Sequence, residues 1–368
     1  MKTPRFTDLT ALLPATVPFV GPETQERLRG RPFRARLGAN ESVFGPSPKA
    51  VAAIQAAAAD VWMYGDPENH DLKHALAALH GTSAANIVVG EGIDGLLGLL
   101  CRMLITQGDA VATSRGAYPT FNFHVTGFAG ELNFVPYLEN HENPEALLAA
   151  AHACNARMIY IANPDNPMGS HHPGSAIEAM IEALPEGTLL VLDEAYIDLA
   201  PEGTAARIAA DDPRVIRLRT FSKAHGLAGA RMGYAICAAP LAQAFDKVRN
   251  HFGVGRIAQA GALAALADST HLPHIRALTR AARAQLGQIA QANGLIPLPS
   301  ATNFVTLDCG RDGDFARAVL RELLARDIFV RMPGVAPLDR CIRVSLGDTQ
   351  SLQLFAEALP QALAAAKR

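Results

Sequence analysis

Between residues 87 and 236 the chain alternates short runs of β-branched and large apolar residues with longer Ala/Leu-rich stretches, and this alternation leaves few architectures open. Short apolar runs separated by helical ones are the pattern of a mostly parallel sheet covered by helices on its faces. Strands are expected at 87–89, 110–113, 132–135, 158–161, 189–192, 215–220 and 233–236. Helices are expected at 93–105, 144–153 and 176–184.

From about Phe252 the texture changes. A long Ala/Leu/Arg pattern predicts a helix over 271–292, followed by shorter strands at 304–307, 328–331 and 342–344. This order suits a smaller α+β domain. The resulting expectation is an N-terminal arm over 1–47 packed with the small domain, a large domain over 48–250 and a small domain over 251–368. No internal repeat interrupts that plan. At 368 residues, with 49% apolar residues, the chain can bury a sizeable core.

Lys plus Arg total 33 and Asp plus Glu 35, a formal charge of −2 that gives no general attraction to nucleic acid or an anionic membrane. Small-molecule partners are expected instead. No run reaches the roughly 18 apolar residues of a membrane span, and the first residues do not read as a signal peptide. The five cysteines are odd in number and form no CxxC pair, which suits a reducing cytoplasm. The histidines, His171-His172 among them, show no metal-ligand spacing, so no metal is expected.

The strongest local signal starts where an apolar run ends: Thr220-Phe221-Ser222-Lys223-Ala224-His225-Gly226-Leu227-Ala228-Gly229-Ala230-Arg231, then Gly233-Tyr234. A lone lysine in a glycine-rich turn is normally a surface residue. Here it sits on a strand edge, beside a serine and an arginine able to hold a phosphate, and a desolvated lysine is a nucleophile toward an aldehyde. Upstream, an apolar strand ends in a carboxylate, Asp193, within Val191-Leu192-Asp193-Glu194-Ala195-Tyr196. Gly90-Glu91-Gly92-Ile93-Asp94-Gly95 follows another strand and opens a helix, whose free N–H groups could cradle a phosphate. Asn163-Pro164-Asp165-Asn166-Pro167-Met168-Gly169 reads as a turn.

Together these segments resemble the fold-type I, class I/II aminotransferases that use pyridoxal 5′-phosphate (PLP), particularly the histidinol-phosphate aminotransferase family. The likeness covers nearly the whole chain. It implies that Lys223 holds PLP as a Schiff base, that Asp193 pairs with the pyridine nitrogen, and that Ser222 and Arg231 bind the cofactor phosphate with Gly92, Ile93 and Asp94. It further implies that Tyr118 stacks on the ring and that Asn166 and Tyr196 contact its phenolic oxygen. Glu194 is expected to be structural. Asp165 and Met168 stand where the family usually has Asn and then Thr or Ser. Tyr64, in Tyr64-Gly65-Asp66-Pro67, matches a tyrosine that reaches the neighbouring subunit's phosphate, which implies a homodimer.

For the substrate, the resemblance assigns carboxylate binding to Arg343, within Cys341-Ile342-Arg343-Val344-Ser345-Leu346-Gly347. Arg331 matches an arginine on the substrate phosphate, although Met332-Pro333-Gly334 follows it. Asn40, in Asn40-Glu41-Ser42, would line the entrance. Pro18-Phe19-Val20-Gly21 resembles a Pro-Tyr segment of the family but lacks the tyrosine hydroxyl. The expected reaction is amino transfer from histidinol phosphate, or a related amino acid, to 2-oxoglutarate. The alternatives are an aminotransferase for aromatic or other unphosphorylated amino acids, with Phe19 and Met332 as apolar walls, and a PLP decarboxylase such as threonine-phosphate decarboxylase. A PLP-binding regulator is a third, disfavoured by the retained Lys223, Asp193 and Arg343.

Overall fold

The structure is a computed structural model and describes residues 4–15 and 19–367. Pro18 lies outside them. In the N-terminal part a two-residue strand, β1 (Ala35–Arg36), is followed by the seven strands of the main sheet: β2 (Ile87–Gly90), β3 (Ala110–Ser114), β4 (Glu131–Val135), β5 (Met158–Ala162), β6 (Leu189–Asp193), β7 (Val215–Thr220) and β8 (Gly233–Ile236). Their spatial order is β2-β8-β7-β6-β5-β3-β4. Only β8 runs against its neighbours, so the sheet is mostly parallel, as the alternation predicts.

Side chains alternate across each strand, and both faces are buried. In β5 and β6, Met158, Tyr160 and Val191 face one core with Leu96, Leu100 and Phe121. Ile159, Ile161, Leu190 and Leu192 face the other, against Leu147, Ile177 and Ile181. This explains why these strands read as unbroken apolar runs. The helices Gly92–Leu104, Pro144–Cys154 and Gly174–Glu182 fall within two residues of their expected positions, and a further helix, Pro119–Gly127, lies between β3 and β4.

In the C-terminal part come helix His271–Ala292, then β9 (Ile296–Pro297), β10 (Phe304–Asp308), β11 (Ile328–Phe329) and β12 (Cys341–Ser345). β12, β10 and β9 form a small antiparallel sheet. β11 instead pairs in parallel with β1, and Ala35 and Leu37 pack into the small core with Val305, Val344 and Phe355. The strand expected over 328–331 stops at Phe329, because β1 offers only two residues as a partner. Arg331 makes a separate bridge to Arg343.

One expected boundary shifts. Val254, Ala258, Ala262 and Ala265 are buried with Ala50, Leu72, Phe221 and Tyr234, so helix Arg256–Leu266 belongs to a core of the large sheet. This packing supports a division after Leu266 instead of at 250. Among the described residues no helix is long and apolar enough to cross a membrane.

Candidate active site

The parallel strands end together, and Ala162, Asp193 and Leu218 are in register across β5, β6 and β7. The carboxyl ends of such strands are where open α/β sheets place their ligands. A cavity of about 390 Å³ opens there, bounded by the large sheet, the arm and the small domain. Its walls include Lys223, Asp193, Arg231 and Tyr118 from the large domain, and Arg331 and Arg343 from the small one.

At its base lies Asp193, with 4% of its surface exposed. Tyr160 Oη donates to one carboxylate oxygen at 2.7 Å and the Ala195 N–H to the other at 2.9 Å. Burial pushes its pKa up to about 6, because these neutral donors offset only part of the lost hydration. An acid so placed stabilises a cationic N–H set against it. Lys223 Nζ donates to the backbone carbonyl of Asn40 at 3.2 Å and lies 5.5 Å from the centre of the Tyr196 ring. Asn40 has a left-handed backbone (φ 55°); its backbone N–H donates to Ser345 Oγ at 2.9 Å, Ser345 Oγ donates to its Oδ1 at 2.9 Å, and its side-chain Nδ2 donates to Tyr196 Oη at 3.0 Å. The arm is thereby fixed over the lysine.

On the phosphate side, helix Gly92–Leu104 begins without a side-chain cap, leaving its first N–H groups free for an anion. Gly92 adopts φ +77°, and a Cβ there would stand 2.6 Å from Arg231 Nη2. Only glycine lets the guanidinium close on the helix end. Arg231 also approaches Asp94 at 3.8 Å, and Ser222 Oγ accepts from Thr220 Oγ1 at 2.9 Å. A lysine, a buried carboxylate and an anion cradle in one cavity are the donor set PLP requires, and these residues fit it.

Tyr118 donates to Asp94 at 3.0 Å, while its ring stacks with Phe19 at 5.7 Å. The Arg331 guanidinium lies 5.3 Å from the Phe19 ring centre and donates to the Val20 carbonyl at 2.8 Å. Arg343 is buried, donates to the Gly38 carbonyl at 3.0 Å and to Asn166 Oδ1, and faces the Phe304 ring. Burial lowers its pKa to about 10. Among the described residues neither Arg331 nor Arg343 has a carboxylate ion-pair partner, and the Nε of each is buried and unbonded. Two uncompensated guanidinium groups are an anion receptor.

Of the expected site residues, Asn40, Ile93, Asp94, Tyr118, Asn166, Asp193, Tyr196, Ser222, Lys223, Arg231, Arg331 and Arg343 all line the cavity, and Gly92 stands directly behind Arg231. Tyr64 does not. It is 77% exposed, its ring 4.6 Å from Phe252. Glu194 is buried away from the cavity beneath Arg217 and Arg219, in a structural ion-pair cluster. Met332 packs on the small-domain core and not on the cavity, so the apolar-wall alternative keeps only Phe19. Sequence reasoning missed Tyr160 as the partner of Asp193. Within the apolar run Met158–Ala162 nothing distinguishes it from a core residue.

Fold and site define a class, and comparison with known proteins agrees. Residues 35–359 match the family model for aminotransferase class I and II, so the chain belongs to that family of PLP-dependent transaminases. Its relatives narrow the branch. The chain is 35% identical over 348 residues to histidinol-phosphate aminotransferase 1 of Mesorhizobium japonicum, covering 92% of this chain and 94% of the relative. It is 33% identical to the histidinol-phosphate aminotransferase of Moorella thermoacetica over 89% of this chain and 85% of the relative. A crystal structure of histidinol-phosphate aminotransferase from Sinorhizobium meliloti in complex with pyridoxal-5′-phosphate superposes with a TM-score of 0.96, at 54% identity, over 99% of this chain and 98% of that one. The chain belongs to the histidinol-phosphate aminotransferase family.

Proposed function

We propose that the chain transfers the amino group of histidinol phosphate to a keto acid, 2-oxoglutarate being the expected acceptor. The observation that carries this reading is the pair of carboxylate-free guanidinium groups, Arg331 and Arg343, in the same cavity as Lys223. A phosphorylated donor and a dicarboxylate acceptor each bring the anionic charge such a pair binds.

Lys223, Asp193, Ser222, Arg231, Tyr118, Asn166, Tyr196 and the first turn of helix Gly92–Leu104 would hold the cofactor. Bound there, PLP supplies an electron sink for the substrate Cα–H bond. Asp193 keeps a proton at the ring nitrogen by its charge. Tyr118 covers one face of the ring. Arg343 and Arg331 orient the substrate through its anionic groups, so that Lys223 Nζ moves the proton of the reacting carbon over a short, fixed path. Phe19, stacked on Tyr118 at the mouth, keeps water from that path.

Phe19 also favours a second reading, a donor with an unphosphorylated aromatic side chain. The comparison of kcat/KM for histidinol phosphate and phenylalanine separates the two. Histidinol phosphate is expected to lead, and Arg331→Ala to raise its KM at least about tenfold, the loss of one charged hydrogen bond of about 1.5–3 kcal/mol. KM for phenylalanine should move much less. A wild-type preference for phenylalanine would overturn the donor assignment.

A homodimer completes the site in this reading. Val61, Trp62, Tyr64 and Phe252 are all at least half exposed, a clustering that suits cover by a second copy. Mixed dimers of Tyr64→Phe and Lys223→Ala chains contain one site free of both substitutions. They should regain about one wild-type site per dimer. Activity no higher than the mean of the two parents contradicts the sharing of Tyr64. A cytoplasmic location is part of the same proposal, supported by the free state of all five cysteines.

A further inference from the structure

The Asp193 carboxylate is held at both ends by neutral donors: Oδ2 accepts from Tyr160 Oη at 2.7 Å, and Oδ1 from the Ala195 N–H at 2.9 Å. The second donor is backbone and would be supplied by any residue but proline. The first is a side chain, and by its ring it is an ordinary core residue. Tyr160 is fully buried on β5, stacked on Phe121 at 4.6 Å and 16°, in the core that also holds Leu96 and Leu100. Its hydroxyl instead reaches across to β6, where Asp193 is its single hydrogen-bond partner among the described residues. The register that sets Tyr160 opposite Val191 and Ala162 opposite Asp193 brings the two side chains together. Burial, and then the charge of Asp193, push the pKa of this hydroxyl well up, so it stays protonated and donates to the carboxylate.

We propose that Tyr160 is a positioning residue for the reaction: by donating to Oδ2 it fixes the plane of the Asp193 carboxylate and holds it in the charged form that keeps a proton at the ring nitrogen of PLP. The inference rests on the pairing of Asp193 with that nitrogen given above. Its physical basis has two parts. A carboxylate bonded at one oxygen can turn about its Cβ–Cγ bond, whereas donors at both oxygens, from β5 and from the segment after β6, lock it. A buried carboxylate also stays charged only where hydrogen bonds replace its lost hydration. Burial raises the pKa of Asp193, and the Tyr160 hydrogen bond is the foremost influence opposing that rise, ahead of the Ala195 N–H; the Asp94 charge adds to the rise and the Lys223 charge opposes it. Tyr160 is therefore the side chain through which the aim and the charge of Asp193 are set.

Tyr160→Phe removes the hydroxyl alone, since the stack on Phe121 keeps the ring in place. The test is a double-mutant cycle with Tyr160→Phe and Asp193→Asn. It is read by kcat, by the Kd of PLP for the apoenzyme, and by the nitrogen-15 resonance of the ring nitrogen in enzyme loaded with labelled PLP. Tyr160→Phe alone is expected to lower kcat and to weaken PLP binding by about tenfold each, the low end for losing a hydrogen bond to a charged group. The resonance should move toward the neutral-pyridine position, because a carboxylate with one donor fewer is more basic and draws the proton toward itself. In the Asp193→Asn background the same substitution should change kcat and Kd by less than about twofold, the charge it serves being gone. Equal factors in both backgrounds, or an unmoved resonance, are what a merely structural tyrosine gives, and either overturns the proposal. Should Tyr160→Phe not fold, 3-fluorotyrosine at position 160, a stronger donor of nearly the same shape, is the second probe. The resonance should then move the opposite way, and no movement overturns the proposal. The two levels separate cleanly. Wild-type kcat and PLP affinity in Asp193→Asn remove Asp193 from the ring nitrogen, whereas a damaged Asp193→Asn beside an unaffected Tyr160→Phe removes Tyr160 alone.

Discussion

Replacing Lys223 with alanine is expected to lower turnover by at least about 10⁴-fold, since in the proposed function one side chain both anchors the cofactor and moves the substrate proton, and proton transfer alone contributes about 10²–10⁴-fold. The visible absorption of bound PLP should vanish or shift with it. Among the described residues no other lysine lines the cavity, so none can substitute. The fold should survive, because Lys223 is half-buried and its side chain makes a single hydrogen bond among the described residues, to the Asn40 carbonyl. Unchanged far-ultraviolet circular dichroism with lost turnover is the expected combination.

Asp193→Asn should be nearly as damaging and in a different way. The amide can still accept from Tyr160 and the Ala195 N–H, so local geometry persists. What disappears is the negative charge that keeps a proton on the facing ring nitrogen. Losing one partner of a buried charge pair costs about 3–5 kcal/mol, and kcat is expected to fall roughly 10²–10⁴-fold. Burial raises the pKa of Asp193 in the empty cavity, and a cationic ring nitrogen against it would pull that pKa back down, so the wild-type enzyme should keep its Asp193 charge, and its activity, to lower pH than the empty site would. Near-normal turnover in the variant would remove Asp193 from this role.

Much of the large domain was legible because its physical signals are strong. Strands buried on both faces leave apolar runs, and Met158–Ala162 and Gly233–Ile236 stand where those runs fall. Helix His271–Ala292 was equally legible, its 22 residues giving the helical period room to show. Helix Pro119–Gly127 was not, because its buried Thr120, Phe121 and Val125 are too few, among Asn, His and Gly, to mark a face. The end of the large domain was misread for a related reason. Helix Arg256–Leu266 looks like the start of a new texture, yet its alanines pack back on helix Pro48–Ala58, a long-range pairing that composition does not encode.

The site divides along the same line. Residues within continuous segments, such as Ser222, Lys223 and Arg231, could be read together because the segment itself carries the pattern. Residues that matter through what lies across the sheet could not. Tyr160 becomes a partner of Asp193 only because β5 and β6 run in register. Asp165 looked like a turn residue, and its burial, with Tyr137 Oη and the Met168 N–H donating to it, appears only in the folded chain. Met332 follows Arg331 directly and still packs on the small core, which its place in the sequence does not reveal.

The central claim, that this cavity binds PLP through Lys223, is tested most directly by reducing the PLP-loaded enzyme with borohydride and mapping the labelled peptide. A single pyridoxyl label on Lys223 is the expected result. A label on any other lysine, or no label in enzyme that still turns over, would contradict it.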